Sequence, residues 1–324
     1  MMATDLLCGA IDLGGTKIEA RLFDGAIETV KTRRIPTPTA DFDSFIAALG
    51  DQIAWLCETA ADPALPVGLA LAGWIDPATG NAFASNIPVT GRAIGAALAD
   101  RFGRRFPQLN DCMAFAYSEA HGGAGAEAEV VLGLILGTGM GAGLTVRGEF
   151  PPRLNGVAVE IGHVGMPARA LAEFDLPVWP CGCGKAGCME RYVSGTGLAA
   201  LARHRLGHEV TAPDLIAAAS GGDRPSAQVL EIWADLTAEA LLSLQLILDP
   251  GCIVLGGGLS NMPDVVARLS RAFDARRLGP ITPPPLRLAR FGDSSGARGA
   301  ALYARAQSRI KPDAKAPAVR GNEP

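Results

Sequence analysis

Apolar positions along the chain alternate between two spacings. Short continuous runs rich in β-formers, Leu6–Ile11, Ile18–Phe23, Val67–Leu71, Val130–Leu136 and Cys252–Leu255, predict strands, several of them buried on both faces. Between them, Phe42–Cys57, Ile94–Phe102, Ala227–Ile247 and Pro263–Phe273 carry apolar residues at helical spacing. The helix from Pro225 to Leu248 meets a strong stop at Asp249-Pro-Gly251. Strand and helix in alternation predict an α/β fold with mixed or parallel sheets.

One pattern occurs twice. Leu6–Ile11 runs into Asp12-Leu-Gly-Gly-Thr16 and a second strand; Val130–Leu136 runs into Gly137-Thr-Gly-Met-Gly141 and a second strand through Val146. Two copies of strand, glycine turn and strand predict a duplicated α/β unit with a cleft between the halves. A third glycine turn, Gly256-Gly257-Gly258, follows the apolar run ending at Leu255. Glycine amides approach an anion without a Cβ in the way, so Gly14, Gly15, Thr16 and Lys17, with Gly137, Thr138, Gly139 and Gly141 opposite, form candidate phosphate loops. Gly256 to Gly258 would lie against a base or ribose. Any one of these is equally readable as a tight turn; three directly after apolar strands point to a nucleotide. A dinucleotide fingerprint is the rival at Gly137-x-Gly139-x-x-Ala142, with Glu160 downstream, but that fingerprint opens a helix and Ala142–Val146 reads as a strand.

Charge narrows the partners. With 29 Lys and Arg against 33 Asp and Glu, the chain has a net charge of −4 and presents no electrostatic case for nucleic acid or an anionic membrane. The start has no basic segment ahead of a long apolar one, and no run of 18 apolar residues occurs. A cytoplasmic protein is expected. The tail 311–324, rich in Pro, Ala and charge, is expected to be disordered.

Seven cysteines, three of them in Cys181-Gly-Cys183-Gly-Lys-Ala-Gly-Cys188, argue for metal rather than disulfides. Closely spaced thiols suit a tetrahedral zinc site, and His163 is the nearest upstream histidine able to complete it. A closed Cys3His set leaves no open coordination position, so the metal is expected to be structural and to pin the segment bearing Glu160 and Glu190. His121, His204 and His208 are expected on the surface; Cys8, Cys57, Cys112 and Cys252 read as core thiols. Asp111 precedes the helical stretch Met113–Tyr117 and, on local sequence alone, reads as a helix N-cap.

Together, Asp12-Leu-Gly-Gly-Thr-Lys17, Asn110-Asp111, Leu136-Gly-Thr-Gly-Met-Gly141, Glu160-Ile-Gly-His163, the cysteine loop through Met189-Glu190 and Gly256-Gly-Gly-Leu-Ser260 resemble the ROK family of bacterial sugar kinases and sugar-responsive repressors. The resemblance runs from about Leu6 to Ala306. It implies the actin-like, hexokinase-like (ribonuclease H-like) duplicated fold: an N-terminal domain over 1–112, a larger domain over 113–295 carrying the zinc loop, and a helix near 296–308 returning to the first domain. It implies ATP and Mg²⁺ as cofactors alongside structural zinc, a small-molecule sugar as substrate, and a homodimer. Asp111 matches the general base for a hexose 6-hydroxyl. Gly73, Asn86, Asn110, Glu160, His163 and Glu190 match sugar contacts, with one ring nitrogen of His163 on zinc and the other on a sugar hydroxyl. Asp12 and the three glycine turns match the ATP site. Two departures stand out: Cys112-Met113 follow Asn-Asp where Ala-Asn is frequent, and Ala72 replaces a frequent proline before Gly73.

Ala84-Ser-Asn-Ile-Pro-Val-Thr-Gly91 and Asp175-Leu-Pro-Val178 look most like N-acetyl-D-glucosamine kinases; Ser194-Gly-Thr-Gly197 and Gly292-Asp-Ser-Ser-Gly296 look equally like fructokinases. The expected reaction is formation of N-acetyl-D-glucosamine 6-phosphate. Fructokinase, glucokinase or N-acetylmannosamine kinase activity, and a sugar-binding regulator without turnover, are the alternatives. Repressors of the family carry a helix-turn-helix ahead of the first glycine turn, for which residues 1–11 leave no room.

Overall fold

The computed structural model describes residues 7–309. The expectations for Leu6 and for the tail 311–324 lie outside the described residues. In chain order the N-terminal part comprises β1 (Cys8–Leu13), β2 (Lys17–Phe23), β3 (Thr29–Pro36), α1 (Phe42–Ala60), β4 (Val67–Leu71), β5 (Trp74–Ile75), β6 (Ala82–Phe83), α2 (Ile94–Phe102), β7 (Gln108–Asn110) and α3 (Asp111–Ala120). There follow β8 (Val130–Leu136), β9 (Met140–Val146), α4 (Ala168–Glu173), α5 (Glu190–Val193), α6 (Gly195–Leu206), α7 (Ala212–Ser220) and α8 (Arg224–Leu248). The chain closes with β10 (Cys252–Gly256), α9 (Val265–Ala275), β11 (Leu286–Leu288) and α10 (Ser295–Arg309).

Two sheets carry the fold. The first has the order β3-β2-β1-β4-β7 and the second β11-β10-β8-β9. In both, a strand pairs antiparallel with its successor across a glycine turn (β1 with β2, β8 with β9) and parallel with a later strand on its other side (β4 and β10). The repeat read from sequence is therefore a repeat of topology. The counterpart of β3 in the second sheet is reduced to a single antiparallel bridge, Ala142 to Val159.

Burial explains which elements formed. All five residues of β4 and all five of β10 are buried, as fully apolar runs require. By contrast β3, Thr-Val-Lys-Thr-Arg-Arg-Ile-Pro, is an exposed polar edge strand held by its ladder to β2. Helix α1 begins at Asp41, whose carboxylate accepts from the Ser44 amide at 2.7 Å. Helix α8 begins with Asp223 capping Ser226 at 2.9 Å and ends at Asp249 in the left-handed region, φ 41°. Its buried face, led by Trp233, Leu236 and Leu241, fills the core under the second sheet, whereas Phe45, Leu49 and Ile53 of α1 fill the first.

Helix α3 joins the halves. It continues directly from β7 of the first sheet and packs under β8 and β9 of the second, where Gly143 lets the Cys112 carbonyl approach; a Cβ there would sit 2.1 Å from that oxygen. On its other side lies α10, which also covers β1 and β4. The buried Glu119 of α3 accepts from the Ser295 hydroxyl and the Ala124 amide, both at 2.8 Å, while Arg298 of α10 donates to the Ser118 and His121 carbonyls at 2.9 Å. The buried carboxylate is thus satisfied across the α3–α10 seam, and the guanidinium donates through both terminal nitrogens while its Nε has no partner.

Two sequence expectations need correction. His121 is half-buried, its ring stacked on Tyr117 and its Nδ1 2.8 Å from the Tyr117 carbonyl, whereas His204 and His208 are exposed as expected. Cys57 is also half-buried, with its sulfur 3.5 Å from the Arg104 guanidinium; Cys8, Cys112 and Cys252 are core thiols.

Candidate active site

Asn110 and Asp111 divide the roles that sequence assigned to Asp111 alone. Asn110 is the N-cap of α3: its Oδ1 accepts from the amides of Cys112 at 2.9 Å and Met113 at 3.3 Å. Its Nδ2 donates to the Gly73 carbonyl at 3.0 Å. Asp111 is the first helical residue, with Oδ1 held by the Cys112 amide at 2.8 Å and Oδ2 carrying no hydrogen bond. Burial pushes the Asp111 carboxyl above the ordinary range, although the Cys112 amide pulls it back.

Asp12 faces Asp111 from the end of β1. Burial, and then the charge of Asp111, push its carboxyl up to about 6. In the turn that follows, the Gly14 amide donates to the Lys17 carbonyl at 3.0 Å, and a Cβ on Gly15 would meet the Asn86 Cβ at 2.7 Å. Asn86, exposed on the segment after β6, therefore borders the first glycine turn. Thr16 is exposed, and its carbonyl accepts from the Thr37 amide at 3.1 Å. The Lys17 ammonium lies 3.7 Å from the buried Glu19, which also binds Arg21 and Arg34. Its side chain stays half exposed beside the turn.

The other two glycine turns meet at a cavity of about 780 Å³. Gly137, Thr138 and Gly258 line it as predicted, together with Thr196, Val210, Pro213 and Leu259. The N-terminus of α6 is stitched to the second turn, the Gly195 amide donating to the Gly137 carbonyl at 2.7 Å and the Thr196 hydroxyl to the Thr138 carbonyl at 2.9 Å. Not every predicted glycine faces this space. Gly256 packs on the Phe115 ring, Gly257 turns at φ 83° beneath the Leu136 carbonyl, and Gly141 packs on the Cys112 sulfur. Gly139 faces the Glu190 carboxylate. No helix follows the second turn; β9 does, which removes the dinucleotide reading.

Glu160 stands open to the cleft just ahead of the short 3-10 turn Ile161–His163. Burial of its carboxyl against the cleft wall pushes it up, His163 opposes this, and Asp111 and Glu190 add repulsion. Glu190 lies 3.6 Å from His163 Nδ1, and Glu160 feels the charge of Asp111 and Glu190. The ligand atoms of His163, Cys181, Cys183 and Cys188 all lie within 4.8 Å of one another. The Cys183–Cys188 sulfurs are 3.6 Å apart, and Cys181 Sγ is 3.8 Å from His163 Nδ1. A tetrahedral zinc with sulfur at about 2.3 Å needs edges of about 3.8 Å, so the set fits that ion. Gly184 and Gly187, at φ 85° and 73°, make the tight reversals that bring the three thiols together. Cys181 Sγ also lies 3.1 Å from the Glu190 carboxylate, linking the cluster to the cleft.

A model of the family described as "ROK family" matches residues 8–307. The chain belongs to the ROK family. Among its curated ROK relatives, the N-acetylgalactosamine kinase AgaK of a Shewanella species is 38% identical over 90% of this chain and 94% of that protein. The N-acetyl-D-glucosamine kinase of Pectobacterium atrosepticum is 37% identical over 90% of this chain and 96% of its own length. Among solved structures, the ROK hexokinase of Thermus thermophilus has a TM-score of 0.82 at 31% identity, covering 93% of this chain and 99% of that one. A ROK glucokinase of Streptomyces griseus, solved with glucose and AMPPNP, has a TM-score of 0.76 at 27% identity, again over 93% and 99%. The duplicated α/β arrangement is thus the actin-like kinase fold.

Sequence reasoning missed part of this ROK site. Thr196, Val210 and Pro213 reach the cavity from α6 and from the start of α7, distant in sequence from every glycine turn. The only local signal was Ser194-Gly-Thr-Gly197, a fourth amide-rich segment opening a helix. Among the described residues, no helix is long and apolar enough to cross a membrane.

Proposed function

We propose that this ROK chain, an ATP-dependent sugar kinase, phosphorylates the 6-hydroxyl of N-acetyl-D-glucosamine, with Asp111 as general base. The observation that carries the reading is the position of Asp111. It sits at the head of the helix joining the two halves, with one carboxylate oxygen held by the Cys112 amide and the other without a partner, among Asp12, Glu160 and Glu190. A carboxylate fixed in this way accepts the hydroxyl proton as the oxygen attacks the γ-phosphorus, a contribution of roughly 10²–10⁴-fold. The rest of phosphoryl transfer is alignment and neutralisation of charge.

In this reading the expected domains, 1–112 with α10 and 113–295, are the two walls of the cleft. Sugar lies between Gly73, Asn86 and Asn110 on one side and Glu160, His163 and Glu190 on the other. Asn110 spends its acceptor on the α3 cap, which leaves one amide hydrogen for the sugar. Nucleotide occupies the cavity of Thr196, Val210, Pro213 and Gly258, its phosphates reaching the amides of Gly137–Gly139 and Gly14–Thr16. Asp12 and Asp111 repel one another, and a cation relieves that repulsion, so Asp12 fits Mg²⁺; that ion neutralises phosphate charge when bound. Zinc on His163, Cys181, Cys183 and Cys188 supplies no chemistry; it sets the orientation of His163 and, through Cys181, of Glu190.

N-Acetyl-D-galactosamine is the second reading, because the relative 38% identical to the chain carries that name. An ATP-consumption screen over N-acetylglucosamine, N-acetylgalactosamine, N-acetylmannosamine, glucose and fructose tests both. The first reading predicts the highest kcat/KM on N-acetylglucosamine. A higher value on N-acetylgalactosamine selects the second reading, and comparable values on glucose or fructose contradict both.

A further inference from the structure

The two walls of the cleft also meet at the β5–β6 hairpin. The hairpin β5–β6 of the N-terminal half spans from Gly73 to the segment bearing Asn86. Within it the Trp74 ring stacks on Phe83, centroids 4.9 Å apart and planes 23° from parallel. The same indole N–H donates across the seam to the Asn155 carbonyl of the C-terminal half. Asn155 belongs to the segment that leads from β9 to Glu160 and His163. The next residue, Gly156, holds φ 64°, and a Cβ added there would lie 3.5 Å from the Ile75 carbonyl. The space there is ordinary contact distance, and it is the left-handed backbone that favours glycine.

Beneath this contact the seam is not filled. A cavity of about 320 Å³ lies among Trp74, Asn110, Met113, Phe150, Arg153 and Tyr303. Phe150 packs on Tyr117 and Tyr303 rather than on the hairpin, so the contacts at the rim are what tie the 150–157 segment to the hairpin. On one side the hairpin is tied to Asn110 through the Gly73 carbonyl; on the other the segment ends at Glu160. The contact accordingly spans both halves of the sugar site.

We propose that Trp74 is a positioning residue for sugar: its N–H to the Asn155 carbonyl, presented by the left-handed turn at Gly156, latches the Gly73–Asn86 wall to the Glu160–His163 wall. The inference rests on the sugar reading given above. Losing the latch makes sugar binding carry the work of aligning the walls, while the phosphoryl-transfer groups stay as they are once the sugar is bound.

The test is steady-state kinetics on the zinc-loaded, full-length enzyme. Trp74→Phe keeps the stack on Phe83 and deletes only the N–H, and Gly156→Ala strains the left-handed backbone that follows the Asn155 acceptor. Each is expected to raise the sugar KM by roughly three- to tenfold, the size of one net hydrogen bond, with kcat within about twofold and the ATP KM unchanged. Because both variants break one contact, the double variant is expected to be no worse than the poorer single. Leu154→Ala, at a neighbouring residue 91% exposed, is the neutral control. A Trp74→Phe variant that loses thermal stability but keeps its sugar KM, or a double variant whose effects multiply, overturns the latch. Glu160→Gln separates the two levels: if it raises the sugar KM while Trp74→Phe does not, the latch alone fails. If Glu160→Gln leaves the KM unmoved, the sugar reading beneath it fails as well.

Discussion

Asp12 is stabilising when protonated and costly when charged, so Asp12→Asn should make the nucleotide-free protein more stable while removing its activity. The carboxyl is held at about 6 by burial and by Asp111, against about 3.9 in an unfolded chain. A raised folded value means that the native state keeps its proton longer than the unfolded state does. The favourable contribution is full below about pH 4 and is lost as pH rises to about 6. Above that, about two pKa units at about 1.4 kcal/mol each give a penalty of up to about 3 kcal/mol. At about 2.1 cal/mol/K of unfolding entropy per residue, this chain gains roughly 0.7 kcal/mol/K, so the penalty reads as about 4 °C. Thermal melts of zinc-loaded wild type and Asp12→Asn, without nucleotide or Mg²⁺, should coincide below about pH 4 and separate by up to about 4 °C at pH 7.5, the variant melting higher. Adding Mg²⁺ and ATP should then stabilise the wild type far more than the variant. A separation that does not depend on pH, or a variant that melts lower at pH 7.5, would refute the reasoning.

Other perturbations address other parts of the site. Metal analysis should find about one zinc per chain; Cys183→Ser should lower that content and raise the sugar KM more than the ATP KM, since Cys183 reaches the sugar only through His163 and the cysteine loop. Thr196→Val removes the hydroxyl bound to the Thr138 carbonyl at the cavity and should raise the ATP KM several-fold while sparing the sugar KM, as initial-rate kinetics would show. The acid limb of kcat/KM should fall above the ordinary carboxylate range, because burial raises Asp111 and the base must be ionised; a profile flat down to pH 4 would remove this expectation.

The framework was legible where burial leaves a single periodic signature. Val67–Leu71 and Ile94–Phe102 were read to the residue, one buried on all sides and the other amphipathic. The strand β3 was not, because Lys31, Arg33 and Arg34 present no apolar face and only the ladder to β2 makes them a strand. The metal cluster was legible because its three thiols are close in sequence. The cavity beside the second and third glycine turns was only half legible, since α6 and α7 contribute Thr196 and Pro213 through tertiary folding. Lys17 has a neighbour that the sequence did not flag: its half-exposed ammonium lies 3.7 Å from Glu19, two residues along the same strand. Asp111 read as the cap in sequence, and the hydrogen bonds from Cys112 and Met113 assign the cap to Asn110 instead.

That assignment leaves Asp111 free for chemistry, and one substitution examines it. Asp111→Asn preserves the size of the side chain and removes the base. Titration calorimetry with N-acetylglucosamine and a coupled assay for sugar phosphate, on the same zinc-loaded preparation, should show sugar affinity within several-fold of wild type and turnover reduced by roughly 10²-fold or more. Turnover retained within tenfold, with the sugar still bound, would contradict the account.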